Sequence, residues 1–449
     1  MSKLTHAQQL ANRFAKLSYT NLPADTRHSV KRLLLDYLGV ALAGSQSESG
    51  HIARRFAREH GGKGLAGLIG DTARVTMPSA AFANAISSHS IELDDIDVLA
   101  LFHFSPPVYS AALAVAGAQH TSGRQLITAL AAGCEMMERA SRAANNSLRN
   151  RAFHTTPTCG VFGATVAAAK LLDLNAAKIT HALGMAGAQA SGLMEMYGPS
   201  MQKRFNPGPT ARNGVTAALM AQIGFTGADT IFEGERGFLR AFTDKNSPGA
   251  LVKGIDKPYE LLIEFKPYSC ARPIHNAIDC ALAVRNQPGF DAKKVKAIRF
   301  ARHGDWALYH QNKAPRTYHE AQVSLPFSVA VAFLEGQALL KQYSDSNIRN
   351  PQVKALSNAH TIVVDNKLPR GVSCKMTVTQ TDGKTFTSQI DYPKGSIQNP
   401  MSDDELLGKF ASLATPVIGA KRVEALADAV MNIEKINDVS VLLELSSKK

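Results

Sequence analysis

Cysteine is scarce in this chain of 449 residues: Cys134, Cys159, Cys270, Cys280 and Cys374 are its five thiols, and no C-x-x-C pair occurs among them. That excludes a disulfide framework and makes a reducing compartment the simplest home. Charge is thin as well. Charged residues are 19% of the chain, against roughly 25% in ordinary soluble proteins. With apolar residues at 45%, long disordered tracts are excluded and much of the chain should be buried. No basic segment followed by an apolar run opens the sequence, so no secretory signal is expected. The longest spanning candidate, residues 182–201, is rich in Ala and Gly and broken by Glu195, which suits packed helices better than lipid. A cytoplasmic protein without a membrane partner is expected.

Signature motifs are equally sparse. H-E-x-x-H, paired Cys/His spacing and an EF-hand pattern are missing, which makes a required metal unexpected. G-x-S-x-G is missing, as are G-x-G-x-x-G and the P-loop, so serine-hydrolase, dinucleotide and nucleotide-phosphate sites are excluded. Lys and Arg number 50 and Asp and Glu 37, a balance of 50 − 37 = +13. The cations are dispersed, with no basic arm or Arg/aromatic stripe, so nucleic acid is not the expected partner. A small polyanion remains.

The first two-thirds reads as helix. Leu10, Phe14 and Leu17 recur at helical spacing, as do Leu34, Tyr37, Leu38 and Ala41, with Gly44 placed to end that helix. Pro78 can open a further helix leading to His89. After about residue 266 the pattern changes. Strands are expected at 295–301 and 361–365, and a hairpin at Cys374, Met376, Val378 and Phe386, Ser388, Ile390 about the Asp382-Gly383 turn. Helix is expected from Leu325 to Leu340, and again at Ser402, where Glu405 completes a capping box. The fold class is therefore mainly α with a smaller α+β region from the middle of the chain.

Four segments carry polar residues that could do chemistry. His89-Ser-Ile-Glu92-Leu-Asp94-Asp95 through Phe102-His103-Phe104 is either a solvated capping cluster or a site. His154 precedes a helix rich in small residues, where a structural, hydrogen-bonded histidine is the plain alternative. Lys203-Arg204, with Asn206-Pro-Gly208 and Arg212 following, sets cations beside a helix start, which suits a carboxylate if it is not simply a solvated basic loop. Lys266-Pro-Tyr268-Ser-Cys270-Ala-Arg272-Pro-Ile-His275 lies where the helical part yields to the α+β part, and such crevices favour ligands.

Taken in order, these segments resemble the MmgE/PrpD family of 2-methylcitrate dehydratases, cis-aconitate decarboxylases and iminodisuccinate epimerases. Phe153-His-Thr-Thr-Pro-Thr-Cys-Gly, Lys203-Arg-Phe-Asn-Pro-Gly, Phe232-Glu-Gly-Glu-Arg-Gly-Phe, Lys266-Pro-Tyr-Ser-Cys and Ser324-Leu-Pro-Phe-Ser extend the likeness over nearly the whole chain. The resemblance implies a homodimer, a helical domain of residues 1–266 and 396–449, and an α+β lid of residues 267–395. It implies catalytic roles for His103, His154, Lys203 and Lys266, with Glu92, Asp95, Arg212, Arg272 and His275 binding substrate and no cofactor. Several positions depart from the family pattern: Glu92 replaces an aspartate, Ile96 a threonine, Asn206 a histidine and Phe327 a tyrosine, while Ala271 stands where the decarboxylases carry a histidine. These replacements remove hydroxyl and imidazole donors and weigh against cis-aconitate decarboxylation.

The implied chemistry begins with removal of a proton beside a carboxylate, and the charge that develops must be offset by cations; Lys203, Lys266, Arg212 and Arg272 could serve. His154 is the expected base and His103 its partner, or the reverse. The expected function is a cofactor-independent lyase of small di- or tricarboxylates, with 2-methylcitrate dehydration the nearest named reaction. Epimerisation, decarboxylation and a non-catalytic carboxylate-binding protein are its alternatives.

Overall fold

A computed structural model describes residues 4–97, 101–196, 200–307, 309–369 and 373–448. Its first core is made of helices. Thr5 and Gln8 form a capping box that opens His6–Lys16, and the long helix Ala24–Ser45 is buried along most of its last four turns. Helices Met77–Ser88, Ser105–Ala118 and Gly123–Asn150 pack against it, and Thr155–Leu171 and Pro207–Gln222 pack on these in turn. Small residues permit a close crossing: a Cβ on Gly163 would lie 2.7 Å from the carbonyl oxygen of Gly133, so these two helices meet backbone to backbone.

The chain returns to this core after its excursion. One apolar cluster runs from Ala7 to Phe265 and resumes with Met401, Leu406 and Phe410, reaching Leu443. Helix Asp403–Ile418, opened by the Ser402/Glu405 capping box, packs on Ala24–Ser45. A Cβ on Gly39 would lie 3.0 Å from the Phe410 ring.

A second core, from Cys270 to Phe386, belongs to the middle segment. Its sheet has the order His360–Val364, Val295–Arg302, Cys374–Gln380, Thr385–Ile390; the first pair is parallel and the others antiparallel. Cys374, Met376 and Val378 face the core in alternation, and Gly383 takes a φ of 84° in the hairpin turn. Helix Leu325–Glu335 is shorter than its apolar pattern predicts, because Gly336 adopts the left-handed conformation and ends it. Likewise the Ala/Gly run from 182 is helical only to Gly187; residues 197–199 of that run lie outside the described part. Among the described residues no helix is long and apolar enough to cross a membrane.

Candidate active site

Helix Met77–Ser88 ends at His89, and the chain then runs as a narrow strip through Asp94. Its side chains alternate. Ile91 and Leu93 join Val40, Ala43 and Leu413 in a small apolar cluster, while Glu92 and Asp94 engage a buried polar one. Lys409, from the returning C-terminal helix, holds the strip from behind by donating to the Leu93 carbonyl at 2.7 Å. Glu92 has a φ of 55°, a conformation that costs a non-glycine residue about 1 kcal/mol or more.

Three cations converge on Glu92. Lys203 pairs with its Oε1, Arg204 donates to the same oxygen at 2.5 Å, and Lys266 lies 3.4 Å from Oε2. Lys203 and Arg204 come from the short helix Gln202–Phe205, whereas Lys266 sits where the chain leaves the first core for the second. Lys266 also lies 3.7 Å from Asp94. Three cations against two carboxylates leave one positive charge in a closed space. Although burial opposes ionisation of Glu92, Lys203, Arg204 and Lys266 hold it well below the usual carboxylate range.

Asp94 organises two histidines. Its Oδ2 lies 2.7 Å from His89 Nδ1 and 3.0 Å from His103 Nδ1. Burial works against its charge too, yet His103, His89 and Lys266 hold it well below the ordinary range, so it accepts hydrogen bonds and donates none. His103 Nδ1 is also 2.5 Å from the Asp95 carbonyl, another pure acceptor, so this nitrogen carries the proton and Nε2 carries the lone pair. Ligand atoms of His89, Asp94 and His103 lie within 4.8 Å of one another, a spacing that could hold a metal ion. To ligate one through Nδ1, each ring would have to surrender the proton that His89 gives to Asp94 and His103 to the Asp95 carbonyl.

His154 enters from the start of helix Thr155–Leu171, anchored by its N–H to the Gly192 carbonyl at 3.0 Å. The Asn206 amide donates to its Nδ1 at 3.1 Å, which leaves the ring proton on Nε2. Burial, then His89, His103 and Lys203, push its pKa well below the ordinary histidine value, so the ring is neutral. The His89 ring neighbours both, 4.9 Å from His103 and 6.3 Å from His154, centroid to centroid.

The second core closes the cluster with Gln322. Its Oε1 accepts from Arg204 at 3.1 Å, and its Nε2 donates to the Ile91 carbonyl at 2.8 Å. The backbone carbonyl of the same residue accepts from the N–H of Ala271 at 2.9 Å.

Four expected substrate ligands are occupied otherwise. Asp95 uses both oxygens on the N–H groups of Phe104 and Ser105, at 2.7 and 3.1 Å, capping helix Ser105–Ala118 and fixing His103 at its mouth. Arg212 is exposed and stacks over the Phe82 ring, because helix Pro207–Gln222 buries Thr210, Ala211 and Gly214 and turns residue 212 outward. Arg272 is bound to Glu264 at 2.8 and 3.1 Å, so its charge is already matched. His275 is locked between Arg272 and the Cys270 carbonyl. These two brace the junction.

The amino-acid sequence marks His89, Asp94 and Arg204 only as parts of polar segments, without a role; the structure adds all three to the cluster. The signal for the first two is the alternation of Ile91 and Leu93 with Glu92 and Asp94, a period-2 pattern in a segment that forms no sheet. Ile96 and Phe327 stand aside from the cluster: Ile96 exchanges backbone hydrogen bonds with Glu264, and Phe327 packs on Tyr343 in the second core.

Comparison with known proteins gives the same picture at full length. Residues 8–250 match the MmgE/PrpD N-terminal domain and residues 268–435 the MmgE/PrpD C-terminal domain. The chain is 29% identical to the cis-aconitate decarboxylase-like protein oryM of Aspergillus oryzae, over 98% of this chain and 96% of that protein. It is 27% identical to the cis-aconitate decarboxylase of Aspergillus terreus, over 96% and 94%, and 28% identical to that of Homo sapiens, over 92% and 89%.

Proposed function

The chain belongs to the MmgE/PrpD family, and from that premise we propose that it is a lyase of small carboxylates that decarboxylates an unsaturated tricarboxylate of the cis-aconitate kind. Its relatives of that name align over more than nine-tenths of the chain, and the site combines the two things the reaction needs. A carboxylate leaving as CO2 abandons its bonding electron pair. When a double bond lies one carbon away, the pair forms a new double bond, and the old one takes a proton at its far end. The chemistry requires cations that hold the remaining carboxylates and a group that delivers one proton.

Lys203, Arg204 and Lys266, with their residual positive charge, are suited to the first task. For the second, the contacts favour His103, which would take a proton from solvent on Nε2 and pass it to the substrate carbon, over His154, the reverse of the order expected from the sequence. A proton on His103 sits against ionised Asp94. Adding one to His154 is opposed first by burial and then by His89, His103, Lys203 and Arg149. His154, neutral with its proton on Nε2, is suited to donate a hydrogen bond to a substrate oxygen without giving the proton up.

The observation that carries the reading is the set of three cations on one buried carboxylate beside an Asp-backed histidine. Incubation with cis-aconitate should release CO2 and place one solvent-derived hydrogen in the product. A second reading, dehydration of a 2-methylcitrate-type acid, is favoured by the methyl of Ala271 where the decarboxylases' imidazole would stand. Water loss from 2-methylcitrate without CO2 release from cis-aconitate would decide for it.

A further inference from the structure

A cavity of about 800 Å³ opens between the two cores, on the other side of the strip from the polar cluster, and has no part in the reaction as described. One wall is a stripe of helix Asp403–Ile418, on which Glu405, Gly408, Lys409, Ser412, Leu413 and Pro416 recur at helical spacing. Another wall comes from the middle segment, with Tyr268, Leu339 and Leu340, and buried Leu93 and Ala43 lie at the base. Cavities of this size, apolar with a few polar groups and set between domains, are where proteins hold small ligands. The helix is built so as to leave the space open. Gly408 and Pro416 both weaken a helix interior, glycine through its backbone freedom and proline by lacking the N–H that would reach the Ser412 carbonyl. Close packing does not require the glycine: a Cβ on Gly408 would meet nothing within 4 Å. The charges on the wall are unevenly matched. Lys394 pairs with Glu405 at 2.8 Å, and Lys409 is held by Asp36 and the Leu93 carbonyl. Lys341 is exposed and has no ion pair among the described residues. An apolar cavity with one unmatched ammonium suits an occupant with a hydrocarbon body and a single negative charge. A tricarboxylate does not fit that description, since its remaining charges would be set against Leu413, Val417 and Leu340.

We infer that this cavity is a second ligand site, which binds a monocarboxylate of the fatty-acid type with its chain between Leu413 and Leu340 and its carboxylate at Lys341, and that the occupant modulates turnover without competing for the active site. Leu93 lines the cavity, while its neighbours Glu92 and Asp94 engage the polar cluster, so the occupant reaches the strip from the face opposite the substrate. It also touches both cores at once, and its binding therefore depends on how the two are seated against each other. Binding is independent of the reading of the active site as a lyase; only the effect on turnover rests on it.

Decanoate is the probe, titrated calorimetrically into the full-length protein. It should bind saturably and raise the melting temperature, decanol, with the same chain and no charge, should bind several-fold more weakly, and acetate, with the charge and no chain, should show no saturation. Gly408→Phe places a ring in the open space and replaces a poor helix former, so it should weaken decanoate by on the order of tenfold without lowering the melting temperature. Lys341→Glu, at an exposed position, should weaken decanoate and leave decanol unchanged. With cis-aconitate as substrate, decanoate should change kcat with little change in KM, and Gly408→Phe should remove that response. No saturable binding by the wild type, or binding that both variants leave intact, would overturn the site. Equal affinities for decanoate and decanol would overturn the monocarboxylate as its ligand, and purely competitive inhibition or an unaltered kcat would overturn the modulation. Decanoate bound as expected by a protein that does not act on cis-aconitate would support the site and count against the decarboxylase reading alone.

Discussion

Asp94 and His103 face each other inside the fold: Oδ2 of one lies 3.0 Å from Nδ1 of the other, and that nitrogen donates to the Asp95 carbonyl at 2.5 Å. The pair sets the tautomer of the ring, its orientation and the placement of a charge it would acquire. His103→Gln should therefore lower kcat by roughly 10²–10⁴, and Asp94→Asn should lower it through the same ring. His154→Gln should raise KM more than it lowers kcat. The opposite ranking in folded variants would return the proton transfer to His154.

Lys203→Ala should reduce turnover by roughly 10²–10³ with little change in melting temperature, since the ammonium faces Glu92 rather than the apolar core. Unchanged turnover would remove it from the cation set. Arg212→Ala, which removes an exposed guanidinium stacked over the Phe82 ring, should leave turnover near the wild-type value.

Acidification should destabilise the fold. His89, lowered from 6.5 to about 4 by burial, and His154, lowered well below 6.5, bind protons more readily when the chain is unfolded. Stability is then full above 6.5 and is lost as pH falls from 6.5 toward the folded values; for His89 alone this is about 3 kcal/mol. Glu92 and Asp94, with depressed folded values, extend the loss below their unfolded range. Glu138, raised to about 7 chiefly by burial, opposes the trend between pH 7 and 4.5. Urea titrations at intervals from pH 7.5 to 4, a range set by these shifts, should show a net fall in unfolding free energy; a flat profile would contradict the assigned neutral, buried histidines.

Removal of residues 400–449 should give an aggregating chain. It strips Leu406 and Phe410 from the first core, exposes the face of Ala24–Ser45 and removes Lys409 from the Leu93 carbonyl. A soluble truncation of equal stability would show that the segment is peripheral.

Prolonged dialysis against a chelator should leave activity intact, because the Nδ1 protons of His89 and His103 are already committed, to Asp94 and to the Asp95 carbonyl respectively. Loss of activity that one divalent ion restores would reassign these three residues as ligands.

Elements with a strong local signal are legible in the amino-acid sequence alone. The Asp382-Gly383 hairpin combines period-2 burial with a turn that demands a positive φ, and the Ser402/Glu405 box names its own helix start. The two-stranded piece formed by Lys63–Gly67 and Arg74–Val75 is not, because one strand is largely exposed and the other has two residues. His103, His154, Lys203 and Lys266 do come to one cluster. What single positions cannot reveal is which charges remain available after folding. Arg272 reads as a free cation until Glu264 is placed against it, and Arg212 reads as a neighbour of Lys203 until the phase of helix Pro207–Gln222 is known. Asp95 reads as a ligand until two amide groups claim it.

The strip from Ile91 to Asp94 makes the hydrophobic and the electrostatic halves of this protein inseparable. Leu93 and Asp94 are adjacent in the chain and face opposite ways, so a change in how Leu93 seats against Leu413 or Val40 is transmitted to Asp94 across a single peptide bond. Variants selected for altered catalysis should thus turn up on the apolar side, in residues that never meet substrate. A conservative trim there, such as Leu413→Val, would look like a packing defect in a melting curve and like a mistuned base in a pH–rate profile.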